Sequence, residues 1–186
     1  MIRILISIRI AGAGGHGIVF AARVLGNALT KRGFNVAMRV AYSPAQRGGW
    51  SRADIVVSSE ETIWNPIADE LDVLIVTTQE RYDAEIKDVR RGGYVIYEPE
   101  VVKPRDIEGV KHIPIEAFKL SEAVTGSRIF GNSVLIGFFA SASGLISLSL
   151  LEEVMRELGV RALDNNLKAL RIGFERGFNV KINLKI

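Results

Sequence analysis

Residues 11–17 read Ala-Gly-Ala-Gly-Gly-His-Gly. Within them Gly12, Gly14 and Gly17 stand at G-x-G-x-x-G spacing, with Gly15 and His16 between the last two. An apolar run precedes the motif and a helical pattern follows it. Glycines so placed let backbone N–H groups approach a pyrophosphate, and a helix N-terminus adds about half a positive charge. The spacing alone is a weak signal, and the plain alternative is a tight strand–helix turn that holds nothing or a stray anion. A dinucleotide site also wants Asp or Glu about 20 residues on. Here that region reads Lys-Arg-Gly-Phe-Asn-Val-Ala-Met-Arg-Val-Ala-Tyr, which offers Arg39 and no carboxylate. NAD is therefore disfavoured, whereas an NADP-binding oxidoreductase stays open, because an arginine accepts a 2′-phosphate. His16 can donate to a phosphate or carboxylate, or titrate near neutral pH. With no carboxylate or nucleophile close to it in sequence, it is expected to cap the turn and face a neighbour.

A second candidate is the loop Tyr42–Ser51, Tyr-Ser-Pro-Ala-Gln-Arg-Gly-Gly-Trp-Ser. A loop after the second strand falls at the carboxyl end of the sheet, beside the glycine turn, where α/β proteins bind ligands. Arg47 can clamp a carboxylate or phosphate with two hydrogen bonds. Gly48 and Gly49 allow close backbone approach, and Trp50 suits an interface. The alternative is an ordinary surface loop. A second Arg-Gly-Gly at 91–93 precedes a strand and reads as a plain turn. Ser133, Gly137 and Ser141 recur every four residues and allow close helix approach; a core helix is favoured over a subunit interface. No spaced metal set, nucleophile elbow or carboxylate pair appears. The chain reads as a binding or supporting module without a complete catalytic site.

These residues must be positioned by strands alternating with helices. Ile2–Ile10 predicts a strand running into the glycine turn. From Gly17 to about Arg32 apolar residues fall at helical spacing, and Gly33 ends the helix. Strands are expected at 34–42, 52–59, 71–78, 92–99 and 111–115, the third of these an unbroken apolar run suited to a central strand. Helices are expected at 132–143, 149–158 and from Leu163 to about Phe174, with Ser149-Leu-Leu-Glu152 as a capping box. Residues 178–186 alternate and suit an edge strand or a docking tail. The expected fold is α/β: a single Rossmann-like domain over 1–186, its sheet mostly parallel with helices on both faces.

Composition narrows the function classes. The 186 residues include 48% apolar and 24% charged types, enough for a core and a solvated surface, and the net charge of +3 is too weak to argue for nucleic acid. There is no cysteine, which excludes disulfides, thiolate nucleophiles and cysteine-ligated clusters on this chain. With two histidines, a histidine-rich metal site is not expected. Arg3 and Arg9 interrupt the first apolar run, so it is not expected to be a leader. Residues 129–151 are uncharged and long enough to span a bilayer, but five serines, Asn132 and three glycines favour two buried helices broken near Gly144. A cytoplasmic protein without a membrane segment is the expectation.

The glycine motif, the Arg-Gly-Gly loop and an asparagine opening an apolar helix occur here in order, in the stretches 12–26, 42–66, 71–83, 131–154 and 165–175. Together they resemble the gamma subunit of 2-oxoacid:ferredoxin oxidoreductases, the pyruvate and 2-oxoglutarate enzymes. The resemblance covers residues 2 to 176. The related beta subunit of indolepyruvate:ferredoxin oxidoreductase shares the domain, but Tyr42–Gly49 is nearer the pyruvate and 2-oxoglutarate type. The family carries Gln where this chain has His16. The resemblance implies an accessory subunit in CoA-acylating oxidative decarboxylation. It implies alpha, beta and delta-type partner subunits that carry thiamine diphosphate and iron–sulfur clusters and pass electrons to ferredoxin; the oligomeric state in isolation is left open, a homodimer being one alternative. It also implies that Gly12, Gly14, Gly15, His16, Gly17, Arg47, Gly48 and Gly49 face coenzyme A or a partner.

Overall fold

The computed structural model describes residues 5–43, 48–60, 62–64 and 66–184. Six strands form one sheet: β1 (Leu5–Ala13), β2 (Asn35–Tyr42), β3 (Trp50–Ser58), β4 (Leu71–Val76), β5 (Val89–Tyr97) and β6 (Lys111–Pro114). Their order is β2-β3-β1-β4-β5-β6. The pairs β1·β4, β4·β5 and β5·β6 are parallel, while β3 is antiparallel to both its neighbours. The sheet is thus mostly parallel with one reversed strand. The reversal follows from the short link between β2 and β3, since a parallel pair needs a crossover of a dozen or more residues.

Six α-helices accompany the sheet: α1 (Ile18–Lys31), α2 (Gln79–Glu85), α3 (Ala117–Thr125), α4 (Gly131–Ser143), α5 (Leu148–Glu157) and α6 (Leu163–Gly177). The faces are unequally covered. Ile6, Ile8 and Ile10 of β1, with Ile55 and Ile75, pack into a core built with α1, α4, α5 and α6. The opposite face has a smaller core in which Leu74, Val76 and Val95 meet Tyr82 and Ile86 from α2 and the turn after it. α1 buries Ile18, Ala21, Ala22, Leu25, Ala28 and Leu29 and ends at Gly33, whose φ of 93° is the left-handed conformation that favours glycine.

The stripe on α4 packs inside the chain, against α6. A Cβ on Gly137 would stand 2.1 Å from the Leu170 carbonyl oxygen, and one on Gly173 would stand 2.0 Å from that of Val134. Ser133 Oγ donates to Asn166 Oδ1 at 2.6 Å across the same contact. The start of α5 differs from expectation. Its N-cap is Ser147, whose hydroxyl accepts from Leu150 N at 3.3 Å, whereas Ser149 bonds Ser147 Oγ. The helix begins two residues earlier than the capping box implied, which leaves Leu150 in the position an acid would take. Residues 129–151 divide into a 3-10 turn, α4, a left-handed Gly144 and the start of α5. No helix among the described residues is long and apolar enough to cross a membrane. The described part of the terminal segment is a docking tail and not a strand: Ile182 is buried and its N–H donates to Ala142 O at 2.9 Å.

The smaller face of the sheet buries charge. Arg9 lies at the centre of β1, 3% exposed, with Nε 2.6 Å from Asp54 Oδ1 and Nη1 2.8 Å from Glu85 and 2.6 Å from Asp88. Nη2 also donates to Ala68 O at 3.2 Å. Burial opposes the charge, but the hydrogen bonds and attraction of Asp54, Asp88 and Glu85 win and raise the guanidinium above its ordinary value. Arg52 and Arg81 reach Glu85 from β3 and α2, and the Arg81 guanidinium stacks on the Trp50 ring at 4.4 Å. Trp50, a candidate interface anchor by sequence, is thereby tied to α2.

Candidate functional site

The glycine turn leaves β1 at the carboxyl edge of the sheet, and each of its glycines is small for a different reason. Gly12 is still in the strand, and a Cβ there would stand 2.1 Å from Thr77 Oγ1. Gly14 donates its N–H to Gly49 O at 2.7 Å and packs against that residue. Gly15 has φ 89° and nothing within 4 Å of the position a Cβ would take. Gly17 is the N-cap of α1 with φ 70°, and a Cβ there would lie 1.8 Å from Asn132 Nδ2, at the start of α4. Three of the four are thus packed against protein, and Gly15 alone of the four is open.

Gly17 makes a measurable case. Gly17→Ala is expected to lower unfolding stability by about 2 kcal/mol or more, because left-handed backbone costs a side chain about 1–2 kcal/mol before the collision with Asn132 is counted. Removing the obstacle in Gly17→Ala/Asn132→Gly should restore the steric share and leave the conformational one. Denaturant titration of both variants checks this; equal midpoints for wild type and Gly17→Ala would refute it.

His16 turns back onto the chain. Its N–H donates to Ala13 O at 3.1 Å, its Nδ1 is 2.8 Å from Thr77 Oγ1, and its ring meets Phe118 edge to face at a centroid distance of 5.2 Å. Burial pushes its pKa below the ordinary value, which favours the neutral ring. Thr77 also donates its N–H to Ala11 O at 3.1 Å, so one residue after β4 holds both ends of the turn.

Two cavities flank the turn and both are lined by Gly15. One, of about 490 Å³, lies toward the loop after β2 and is lined by Gly14, Gly17, Gly48, Gly49 and Trp50 among others. The N-terminus of α1 opens beside it, with no acidic residue in its first turn. The other, of about 510 Å³, lies toward α3 and is lined by His16, Thr77, Val101, Phe118 and Ile129 among others. It occupies the point where the strand order reverses, since β1 leads to β2 on one side and β4 leads to β5 on the other. That is the position at which open α/β sheets bind ligands.

The structure therefore gathers Gly12, Gly14, Gly15, His16, Gly17, Gly48 and Gly49 in one region; Arg47 lies outside the described residues. Arg39 is placed mid-strand in β2, three residues or roughly 10 Å before its carboxyl end, and lines neither cavity. It is poorly placed for the 2′-phosphate of NADP. Sequence reasoning singled out Asn132 as the asparagine opening an apolar helix without placing it against Gly17, and it missed Thr77 and Phe118, which are far from the motif in the chain. The one available signal was Thr77-Thr78 ending the run read as a central strand.

A strand, glycine turn and helix flanked by two cavities at the carboxyl edge of an α/β sheet define a Rossmann-like domain. The pyruvate ferredoxin/flavodoxin oxidoreductase profile matches residues 7–176, and the chain belongs to that family. It is 35% identical over 175 residues to the 2-oxoglutarate synthase subunit KorC of Archaeoglobus fulgidus, covering 94% of this chain and 89% of that one. It is 32% identical over 183 residues to the KorC subunit of Methanothermobacter thermautotrophicus, covering 94% and 96%. The gamma subunit of a keto/oxoacid ferredoxin oxidoreductase from Geobacter sulfurreducens has the same fold, with a TM-score of 0.78 at 24% identity over 92% of this chain and 98% of that chain.

Proposed function

We propose that this gamma-type subunit of a multi-subunit 2-oxoacid:ferredoxin oxidoreductase helps form the coenzyme A site of the assembled enzyme. The site comprises Gly12, Gly14, Gly15, His16 and Gly17 of the turn and Arg47, Gly48 and Gly49 of the loop. The observation that carries this reading is the placement of the turn, at the strand-order reversal with a cavity on either side and the N-terminus of α1 beside one of them. Residues 1–186 act as one domain in the cytoplasm and supply no catalytic residue. Thiamine diphosphate and the iron–sulfur clusters belong to alpha, beta and delta-type partners, which pass electrons to ferredoxin. The absence of cysteine from this chain supports that division. The KorC relatives support 2-oxoglutarate as the 2-oxoacid.

Arg47→Ala in the complete enzyme tests this reading. A charge-assisted contact is worth about 1.5–3 kcal/mol, so the KM for coenzyme A is expected to rise roughly tenfold to a hundredfold while the subunits stay assembled. Dissociation of the complex with unchanged coenzyme A dependence would assign the loop to an interface. No change in either would remove it from the site.

A further inference from the structure

We propose that the crevice between the glycine turn and α3 takes the uncharged, amide-bearing arm of coenzyme A, with His16 donating from Nε2 to an amide carbonyl and Thr77 positioning that ring. The inference rests on the coenzyme A reading above and gives the ligand a direction across the turn. Coenzyme A joins a phosphate-bearing nucleotide to a neutral arm, and the two cavities differ in the same sense. The loop-side cavity is bounded by glycine backbone and the amino end of α1. The crevice is walled by Phe118 and by the exposed apolar side chains of Val101 (49%) and Ile129 (71%). Its one cation, Arg128, is already paired with Glu100 and Glu122 at the mouth. Gln79 is occupied too, accepting from Lys103 N at 2.7 Å and donating to Asp83 at 3.2 Å. The crevice therefore suits an apolar body with a hydrogen-bonding group better than a phosphate. Gly15, open and shared by both cavities, is the ridge the ligand crosses.

The 2.8 Å contact between Nδ1 and Thr77 Oγ1 fixes the ring, and we assign the hydroxyl as its donor, so that Nε2 carries the proton and the neutral ring presents a donor to the crevice. A glutamine side chain presents the same kind of donor, which accounts for this chain using histidine where its relatives are expected to carry Gln.

Imidazole nitrogen NMR on the whole chain reads this directly, because only His16 and His112 contribute signals. The expected wild-type spectrum shows His16 protonated on Nε2. Pantetheine should shift the His16 signals, while adenosine 3′,5′-bisphosphate should shift the amides of Gly48 and Gly49. Thr77→Val should mix the tautomers and weaken pantetheine binding by up to roughly tenfold, with Thr77→Ser restoring both. His16→Gln should retain the affinity and His16→Phe lose it. A His16 protonated on Nδ1, or signals unmoved by pantetheine, would overturn the proposal. If the loop amides still respond to the bisphosphate, the coenzyme A reading survives without it; if neither probe has any effect, the proposal falls and the KM of the complete Arg47→Ala enzyme alone decides the coenzyme A reading. His16 signals that move only when the partner subunits are added would make the crevice a docking socket and sink the proposal.

Discussion

Gly173→Ala is expected to lose about 3 kcal/mol of stability, lowering the unfolding midpoint by roughly 6–12 °C. One methyl group has this effect because of what it meets. The Cβ would stand 2.0 Å from the Val134 carbonyl oxygen and 2.7–2.8 Å from two further backbone atoms of the same residue. No rotamer change can relieve a clash with backbone, so α4 and α6 must separate. Gly137 and Gly177 line the same crossing, with Cβ positions 2.1 Å and 2.7 Å from carbonyl oxygens of the facing helix. Opening one contact therefore opens all three. Gly26→Ala in α1 is the control: the nearest atom is Val36 Cγ1 at 3.8 Å, and alanine in a helix interior should stabilise by about 0.5–1 kcal/mol. Calorimetry of the two variants checks the pair, and a Gly173→Ala protein as stable as wild type would contradict the packing described.

Arg9→Met is expected to cost about 3–5 kcal/mol, because the loss falls on the partners left behind. Arg52 and Arg81 still reach Glu85, but Asp54 loses both of its bonds to the guanidinium and stays 2% exposed. An uncompensated buried carboxylate is the costly element. Arg9→Met/Asp54→Asn should therefore recover a large part of the loss, although it removes a second native side chain. Denaturant titration of both variants and of Asp54→Asn closes the cycle. If the double variant is as unstable as the sum of the singles, the pair is not the coupled unit the geometry describes.

Legibility in the sequence followed the strength of the apolar pattern. The helix after the glycine turn carries a clear period and the strand at 71–76 an unbroken apolar run, and both lie close to where they were expected. α2 and α3 were not anticipated, and their burial shows why. α2 buries Arg81, Tyr82 and Glu85 and so has no apolar stripe, while the stripe of α3, Ala117, Leu120 and Val124, spans only nine residues and is interrupted by Ser121. The glycine turn itself was legible, because its spacing is local. What surrounds it was not: Thr77 and Phe118 went unremarked, Asn132 stood out only as the residue opening an apolar helix, and the fold alone brings all three to the motif. The same holds for Arg9. Read along the chain it is a charge interrupting an apolar run, yet its carboxylate partners are 45 to 79 residues away.

The buried arginine also works as proofreading for strand alignment. Arg9 stands directly opposite Asp54 in the β1·β3 ladder. A slip of one residue would turn Arg9 to the face where Ile8 and Ile10 now pack, placing a guanidinium among isoleucines. A slip of two keeps the face but sets Arg9 against Arg52, a like charge, or Val56, which offers no acceptor. Every near-miss alignment thus takes Asp54 away from Arg9, and only the native one sets the two charges face to face. The two halves of the glycine site depend on this, because the same ladder sets Ala13 opposite Trp50 and so brings the turn and the loop to a common height.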